Sequence, residues 1–200
     1  MCKHVICCKE QLLKFVFVTC YKQKRMKINV IRKAIIYAGI CLSVTLLSSC
    51  RTHKFNYDFR DLAVAAIRLD MDIEMRDNHH LYIEAANWIG TPYKYGGTTK
   101  KGVDCSGLSS AIYKTVYKKK ISRSAEGQRI RDCSRVLKRN LREGDLVFFH
   151  SGRKRNGASH VGIYLKDGKF IHASTSAGVV VSSLEDRYYD RYWLQGGRVK

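Results

Sequence analysis

Gly90-Thr91-Pro92-Tyr93-Lys94-Tyr95-Gly96-Gly97, then Asp104-Cys105-Ser106-Gly107, then Leu108, Ala111, Ile112, Thr115 and Val116 at helical spacing: this stretch decides how the rest of the chain is read. A glycine-rich loop holding the chain's only proline turns there into a buried helix, and Cys105 stands at the turn. At such a place the unpaired N–H groups and the positive end of the helix favour a thiolate over a thiol, and Asp104 or Ser106 can cap. A lone cysteine is more often a small buried hydrophobe. The first turn of a helix, with histidines downstream, reads instead as an activated nucleophile for carbonyl carbon. An unusually acidic thiol is therefore expected at Cys105.

The histidines lie in the two arms of one hairpin. His160-Val161-Gly162-Ile163-Tyr164-Leu165 alternates, Asp167-Gly168 turns, and Phe170-Ile171-His172-Ala173 runs on. One imidazole can take the thiol proton while the second holds it in the right tautomer, but only if both point to one face. A two-residue Asp167-Gly168 turn would set His172 opposite Ile163, on the wrong face. A three-residue Lys166-Asp167-Gly168 loop pairs Leu165 with Lys169 and sets His172 opposite Gly162, making the histidines diagonal neighbours, with Gly168 left-handed. His160, Gly162, Tyr164 and His172 are then expected to face Cys105, with Val161, Ile163, Leu165 and Ile171 toward an opposite layer.

Outward from this pair of motifs, helices precede and strands follow. Leu62, Ala65, Ala66 and Leu69 share a helical face; Asp77-Asn78 breaks and caps; Leu81, Ala85, Trp88 and Ile89 mark a second helix. Ile121 to Asn140 is polar and weakly patterned. Arg142-Glu143-Gly144-Asp145 is a turn before Leu146-Val147-Phe148-Phe149, a buried strand. Ser151 to Ser159 is a basic loop expected to be mobile, and Val179-Val180-Val181 and Tyr192-Trp193-Leu194 are further strands. Helices packed on a small antiparallel sheet make an α+β domain over residues 61–200.

The N-terminal part reads as a leader. Met1 to Arg25 has no legible fold; Cys2, His4, Cys7 and Cys8 lack zinc-site spacing, so this is a spurious or unstructured extension and Met26 the better start. Lys27, Arg32 and Lys33, an apolar run from Ala34 to Leu47, and Leu47-Ser48-Ser49-Cys50 form a secretory signal over 26–49, too short for a spanning helix. Its ending resembles the lipobox of bacterial lipoproteins, which would make Cys50 the lipidated first residue, with a linker over 50–60. Lys+Arg outnumber Asp+Glu by 37 to 17, and residues 1–49 hold only nine of the former and one of the latter, so the basic excess survives removal of the leader. Anionic membrane or cell-wall polymer suits that charge. With no nucleic-acid motif, nucleic acid is not expected as a partner. Cys133 receives no role, and no disulfide framework is possible if Cys50 is acylated and Cys105 stays reduced.

Pro92-Tyr93 with Gly96-Gly97, Asp104-Cys105-Ser106-Gly107, Gly144-Asp145-Leu146, Ser159-His160-Val161-Gly162-Ile163-Tyr164 and His172-Ala173-Ser174 together resemble the NlpC/P60 family of papain-like cell-wall cysteine peptidases, above all its short Spr-type murein endopeptidases, which are lipoproteins. The likeness runs from about Leu81 to Val199. It implies Cys105 as nucleophile, His160 as base, His172 as orienting residue and Tyr93 near the oxyanion, with Asp104 and Ser106 beside the substrate. Ser124 and Gln128 fall where the family has an Arg-Ser/Thr…Gln stretch. Amide hydrolysis in peptidoglycan stem peptides through a thioester is implied, without metal or cofactor, in a monomer anchored in the cell envelope at the outer membrane and facing the periplasm. A regulatory protein partner is left open. An amidase or acyltransferase on the same residues, and a non-catalytic cell-wall-binding lipoprotein, are the alternatives.

Overall fold

The computed structural model describes residues 58–152 and 156–200. The expected extension, signal, lipidated Cys50 and most of the linker lie outside the described residues, as do residues 153–155 of the loop expected to be mobile. No helix among the described residues is long and apolar enough to cross a membrane.

Helix α1 (Phe59–Leu69) starts two residues before the expected boundary because Asp58 caps it, its carboxylate accepting from the Arg60 N–H at 3.1 Å. Asn78 caps α2 (His79–Trp88) as the sequence predicts, accepting from Leu81 N at 3.2 Å. A two-stranded ribbon, β1 (Thr98–Thr99) and β2 (Gly102–Val103), leads into α3 (Cys105–Val116). A single turn α4 (Ala125–Gly127) and a π-helical turn (Gln128–Asp132) precede β3 (Cys133–Val136). Then come β4 (Leu146–Phe149), β5 (His160–Tyr164), β6 (Lys169–Ser174), β7 (Gly178–Ser183), α5 (Arg187–Arg191) and β8 (Trp193–Val199). The main sheet has the order β3-β8-β4-β5-β6-β7, and every neighbouring pair is antiparallel. Strand β3 escaped sequence reading because it is an edge strand whose Ser134 and Arg135 face solvent, leaving no alternation to see.

Both faces of this sheet are apolar. Leu146, Phe148, Val161, Ile163, Leu165, Ile171, Ala173 and Val179 pack against Leu81 and Tyr82 of α2 and Leu108 and Ile112 of α3. Val147, Phe149 and Phe170 pack on the other side with Leu184, under Tyr164, Tyr189, Tyr192 and Trp193. A fully buried aliphatic or aromatic side chain contributes about 1.5–3 kcal/mol. A one-residue slip would exchange the two sets, so the register is strongly specified.

The β5–β6 hairpin has the register expected for the longer loop: Leu165 N donates to Lys169 O at 2.9 Å, and His172 pairs with Gly162. Asp167 joins Gly168 at positive φ, 52° and 74°, a second left-handed residue that the sequence reading did not assign. Gly162 is obligatory for space: a Cβ there would come 2.5 Å from the Phe170 ring and 2.9 Å from Ile171 O. The facing is a correction. His160, Gly162, Tyr164 and His172 do share a face, but it is that of Phe149 and Phe170, while Cys105 packs against the helix-side cluster and meets β5 itself at the Val161 backbone N–H. The β-branched residues cover the helices, and the imidazoles stack among the aromatics behind them.

Candidate active site

Cys105 is the first residue of α3, and the groups around it hold the turn rigid. The Asp104 carboxylate accepts from Gly107 N at 2.7 Å through Oδ1 and from Gly96 N at 2.9 Å through Oδ2, tying helix start to glycine loop. Arg123 closes both oxygens in a fork, Nη1 to Oδ1 at 2.7 Å and Nη2 to Oδ2 at 2.9 Å, and also donates to Gly97 O at 2.8 Å. Ser106 Oγ accepts from Arg123 Nη1 at 2.9 Å and lies 2.8 Å from Arg123 O. Burial would raise the Asp104 pKa, but Arg123 and the Gly107 and Gly96 N–H groups more than offset it, so the carboxylate stays charged. The Asp104 and Ser106 side chains are thus engaged in the bracing network. Gly107 is required by the same closeness, since a Cβ would collide with Gly97 O.

Gln128, wholly buried, braces the helix from behind: its amide donates to Ser106 O at 3.1 Å and Ser122 O at 2.8 Å, and Oε1 accepts from Ser109 Oγ at 2.9 Å. Ser124 is a cap, accepting from Gly127 N at 3.1 Å.

The two histidines form one unit. His160 Nε2 and His172 Nδ1 are 3.0 Å apart with the rings nearly perpendicular, and His172 Nε2 lies 3.0 Å from both Ser182 Oγ and Tyr189 Oη. Among the described residues His160 Nδ1 has no hydrogen-bond partner. No hydrogen bond joins it to Cys105 Sγ among those residues. Cys105 reaches β5 at the backbone N–H of Val161, the residue after His160. Burial lowers the His160 pKa to about 4, and burial with the neighbouring His160 lowers His172 to about 3. Burial raises the Cys105 thiol, the N–H groups of Val161, Ser106 and Cys105 pull it back only in part, and the Asp104 charge raises it further. The expectation of an acidic Cys105 is therefore corrected: desolvation and Asp104 outweigh the helix start, and the free site holds a neutral thiol beside neutral imidazoles.

Tyr93 is half-buried and near enough to Cys105 and Asp104 that, after burial, their charges raise its pKa; its hydroxyl bonds to no other described residue. A cavity of about 590 Å³ lined by Phe149, His160, His172, Ser174, Tyr188 and Tyr189 opens on the aromatic side of the pair. Cys133 is buried on β3 and burial pushes its thiol up to about 12, so it stays inert. Among the described residues no cluster of His, Cys, Asp and Glu could hold a metal.

Arg123, Ser182 and Tyr189 were missed as parts of this site. Arg123 is the arginine of the Arg-Ser…Gln stretch that ends in Ser124 and Gln128, but its partner Asp104 lies 19 residues away, so its role was not assigned. Ser182 was within reach of parity arguments, since it pairs with Phe170 and so shares the histidine face, had the β6–β7 turn been placed.

Residues 90–198 match the family model described as the NlpC/P60 family. The chain is 42% identical over 163 residues to the probable endopeptidase NlpC of Escherichia coli (strain K12), covering 80% of this chain and 97% of that protein. It is 40% identical over 114 residues to the murein DD-endopeptidase MepS/murein LD-carboxypeptidase of the same organism, covering 57% of this chain and 58% of the other. The crystal structure of an NlpC/P60 family protein from Bacillus cereus superposes with a TM-score of 0.57 at 30% identity, over 64% of this chain and 42% of that one. A capped cysteine at a helix start, a histidine pair across a hairpin and these similarities place the chain in the NlpC/P60 family.

Proposed function

We infer that this protein is a cysteine-type peptidoglycan endopeptidase, acting in the cell envelope on amide bonds of stem peptides or their cross-links. Similarity to proteins named murein endopeptidases supports the substrate class. The observation that carries the catalytic assignment is the hydrogen-bonded chain from His160 Nε2 through His172 to two hydroxyls, which leaves His160 Nδ1 open beside the residues that hold Cys105.

The reaction starts from the neutral pair. Cys105 Sγ gives its proton to His160 Nδ1 as sulfur attacks the amide carbonyl carbon, so charge separation develops with bond formation rather than before it. Backbone N–H groups at the start of α3 stabilise the tetrahedral oxyanion, with the Tyr93 hydroxyl close by. His160 returns the proton to the leaving amine, the C–N bond breaks and a thioester remains. Water then adds to the thioester with His160 as base and Cys105 leaves as the thiol. His172 holds His160 in the tautomer this requires. Cys50 is the membrane anchor in this reading, consistent with the signal-like segment before it.

Mass spectrometry of purified muropeptides after incubation with the protein, beside a Cys105→Ala control, tests the assignment and names the bond. Identical muropeptide profiles for both proteins would remove it.

A further inference from the structure

We propose that Tyr189 and Ser182 are positioning residues that set the tautomer of His172 and, through it, that of His160. The inference rests on the triad just described and extends it by one layer.

The hydrogens on this chain can run in only two directions. If His172 Nε2 carries hydrogen, His172 Nδ1 is an acceptor, His160 Nε2–H donates to it, and the lone pair of His160 Nδ1 faces the thiol. If the chain is reversed, His160 presents N–H to the thiol and cannot take its proton. A ring N–H can be shared by two acceptors, whereas a ring lone pair takes one donor. Ser182 Oγ and Tyr189 Oη both lie 3.0 Å from His172 Nε2, so both are placed to accept from the same ring N–H. The productive direction needs hydrogen on His172 Nε2, and two neutral oxygens stand at hydrogen-bond distance to accept it; removing both removes every described acceptor for that N–H.

The arrangement is packed as well as bonded. The Tyr189 ring meets His172 edge-on at 5.2 Å and is held by Phe149 at 5.2 Å and Phe170 at 4.9 Å, while Phe170 stacks on His172 at 5.0 Å. The titratable groups around the pair are Tyr188 and Tyr189 of α5 with His150 and Tyr192, which line the same cavity, and the Cys105 thiol, which meets β5 at the Val161 N–H; no carboxylate contributes to the shift of either histidine. Orientation at His172 thus comes from neutral oxygens. They support an imidazolium at His160 during the reaction without trapping one at rest.

The test uses the full chain with Tyr189→Phe, Ser182→Ala, the double variant and Ser182→Thr. Two rates are followed against pH: muropeptide hydrolysis and alkylation of Cys105 by iodoacetamide. The double variant is expected to lose on the order of 100-fold in kcat with KM held. The acid limb of hydrolysis moves to lower pH, because the pair has lost two acceptors that favour its protonated form, and the rise of alkylation moves to higher pH, because an imidazolium at His160 is less able to support the thiolate. Ser182→Thr retains the hydroxyl and stays within about twofold of wild type in both assays. If the double variant fails to fold, each single variant still carries the pH shift. Wild-type kcat in a folded double variant, or a lower kcat with an unmoved acid limb, overturns the proposal. Should wild type cleave no muropeptide while the alkylation profile shifts as stated, the endopeptidase reading falls and the positioning of His172 stands.

Discussion

Lowering the pH from 7.5 to 5.0 should destabilise this fold through His160 and His172 before any carboxylate contributes. Both are lowered by burial, to about 4 and about 3 in the folded protein, against 6.5 for a free imidazole. A base with a depressed folded pKa binds its proton mainly in the unfolded chain, so stability is complete above pH 6.5 and falls as pH drops toward the folded values. At pH 5 each unfolded histidine gains about 2 kcal/mol of proton binding that the folded one lacks, from 1.5 units at 1.36 kcal/mol per unit, so the pair costs about 4 kcal/mol. That is a large share of the 5–15 kcal/mol typical of a domain. Asp104, Asp77 and Glu126 are lowered from their ordinary 3.8, 3.8 and 4.5, so their losses belong to lower pH. Urea unfolding at the two pH values, followed by tryptophan fluorescence, measures the difference. His160→Gln/His172→Gln should show a pH penalty smaller by about 4 kcal/mol, and His172→Gln alone one smaller by about 2. Equal penalties in wild type and the double variant would refute the claim that the histidines are buried neutral.

Gly162→Ala should cost about 1–3 kcal/mol by overpacking against Phe170 and Ile171 O, and should lower kcat more than Phe149→Leu does because the backbone must shift beneath His172; thermal melts and hydrolysis rates check both. Asp104→Ala should lose about 1 kcal/mol from the cap alone and more from orphaning Arg123, read by the same melts, whereas a fully stable variant would deny the bracing role. Alkylation of Cys105 in the absence of substrate should be slow at pH 7 and accelerate at alkaline pH, as a raised thiol pKa requires; full reactivity at pH 6 would restore the acidic-thiol expectation. Cys50→Ala should release the protein from the membrane fraction of a bacterium that processes lipoproteins, and unchanged membrane association would remove the anchor reading.

Local rules reached far into this protein. Asp104 before Cys105 could be read as a cap because a carboxylate at that position satisfies orphan N–H groups wherever the helix sits. The hairpin register followed from period-2 parity once two histidines were required to share a face, and the pairing of Gly162 with His172 is that register. Parity, however, says which residues share a face and not which face a helix will cover. Here both faces are apolar, with Val147, Phe149 and Phe170 on one and Val161, Ile163 and Ile171 on the other, so only packing chose the side for α3. The protonation of Cys105 was likewise beyond local reasoning: a helix start favours a thiolate, but burial and the neighbouring Asp104 oppose it, and burial is a property of the whole fold. The same holds for Arg123, 19 residues from the carboxylate it clamps, and for Tyr189 on a five-residue helix, whose hydroxyl meets His172 only because β7, α5 and β8 close over the aromatic face.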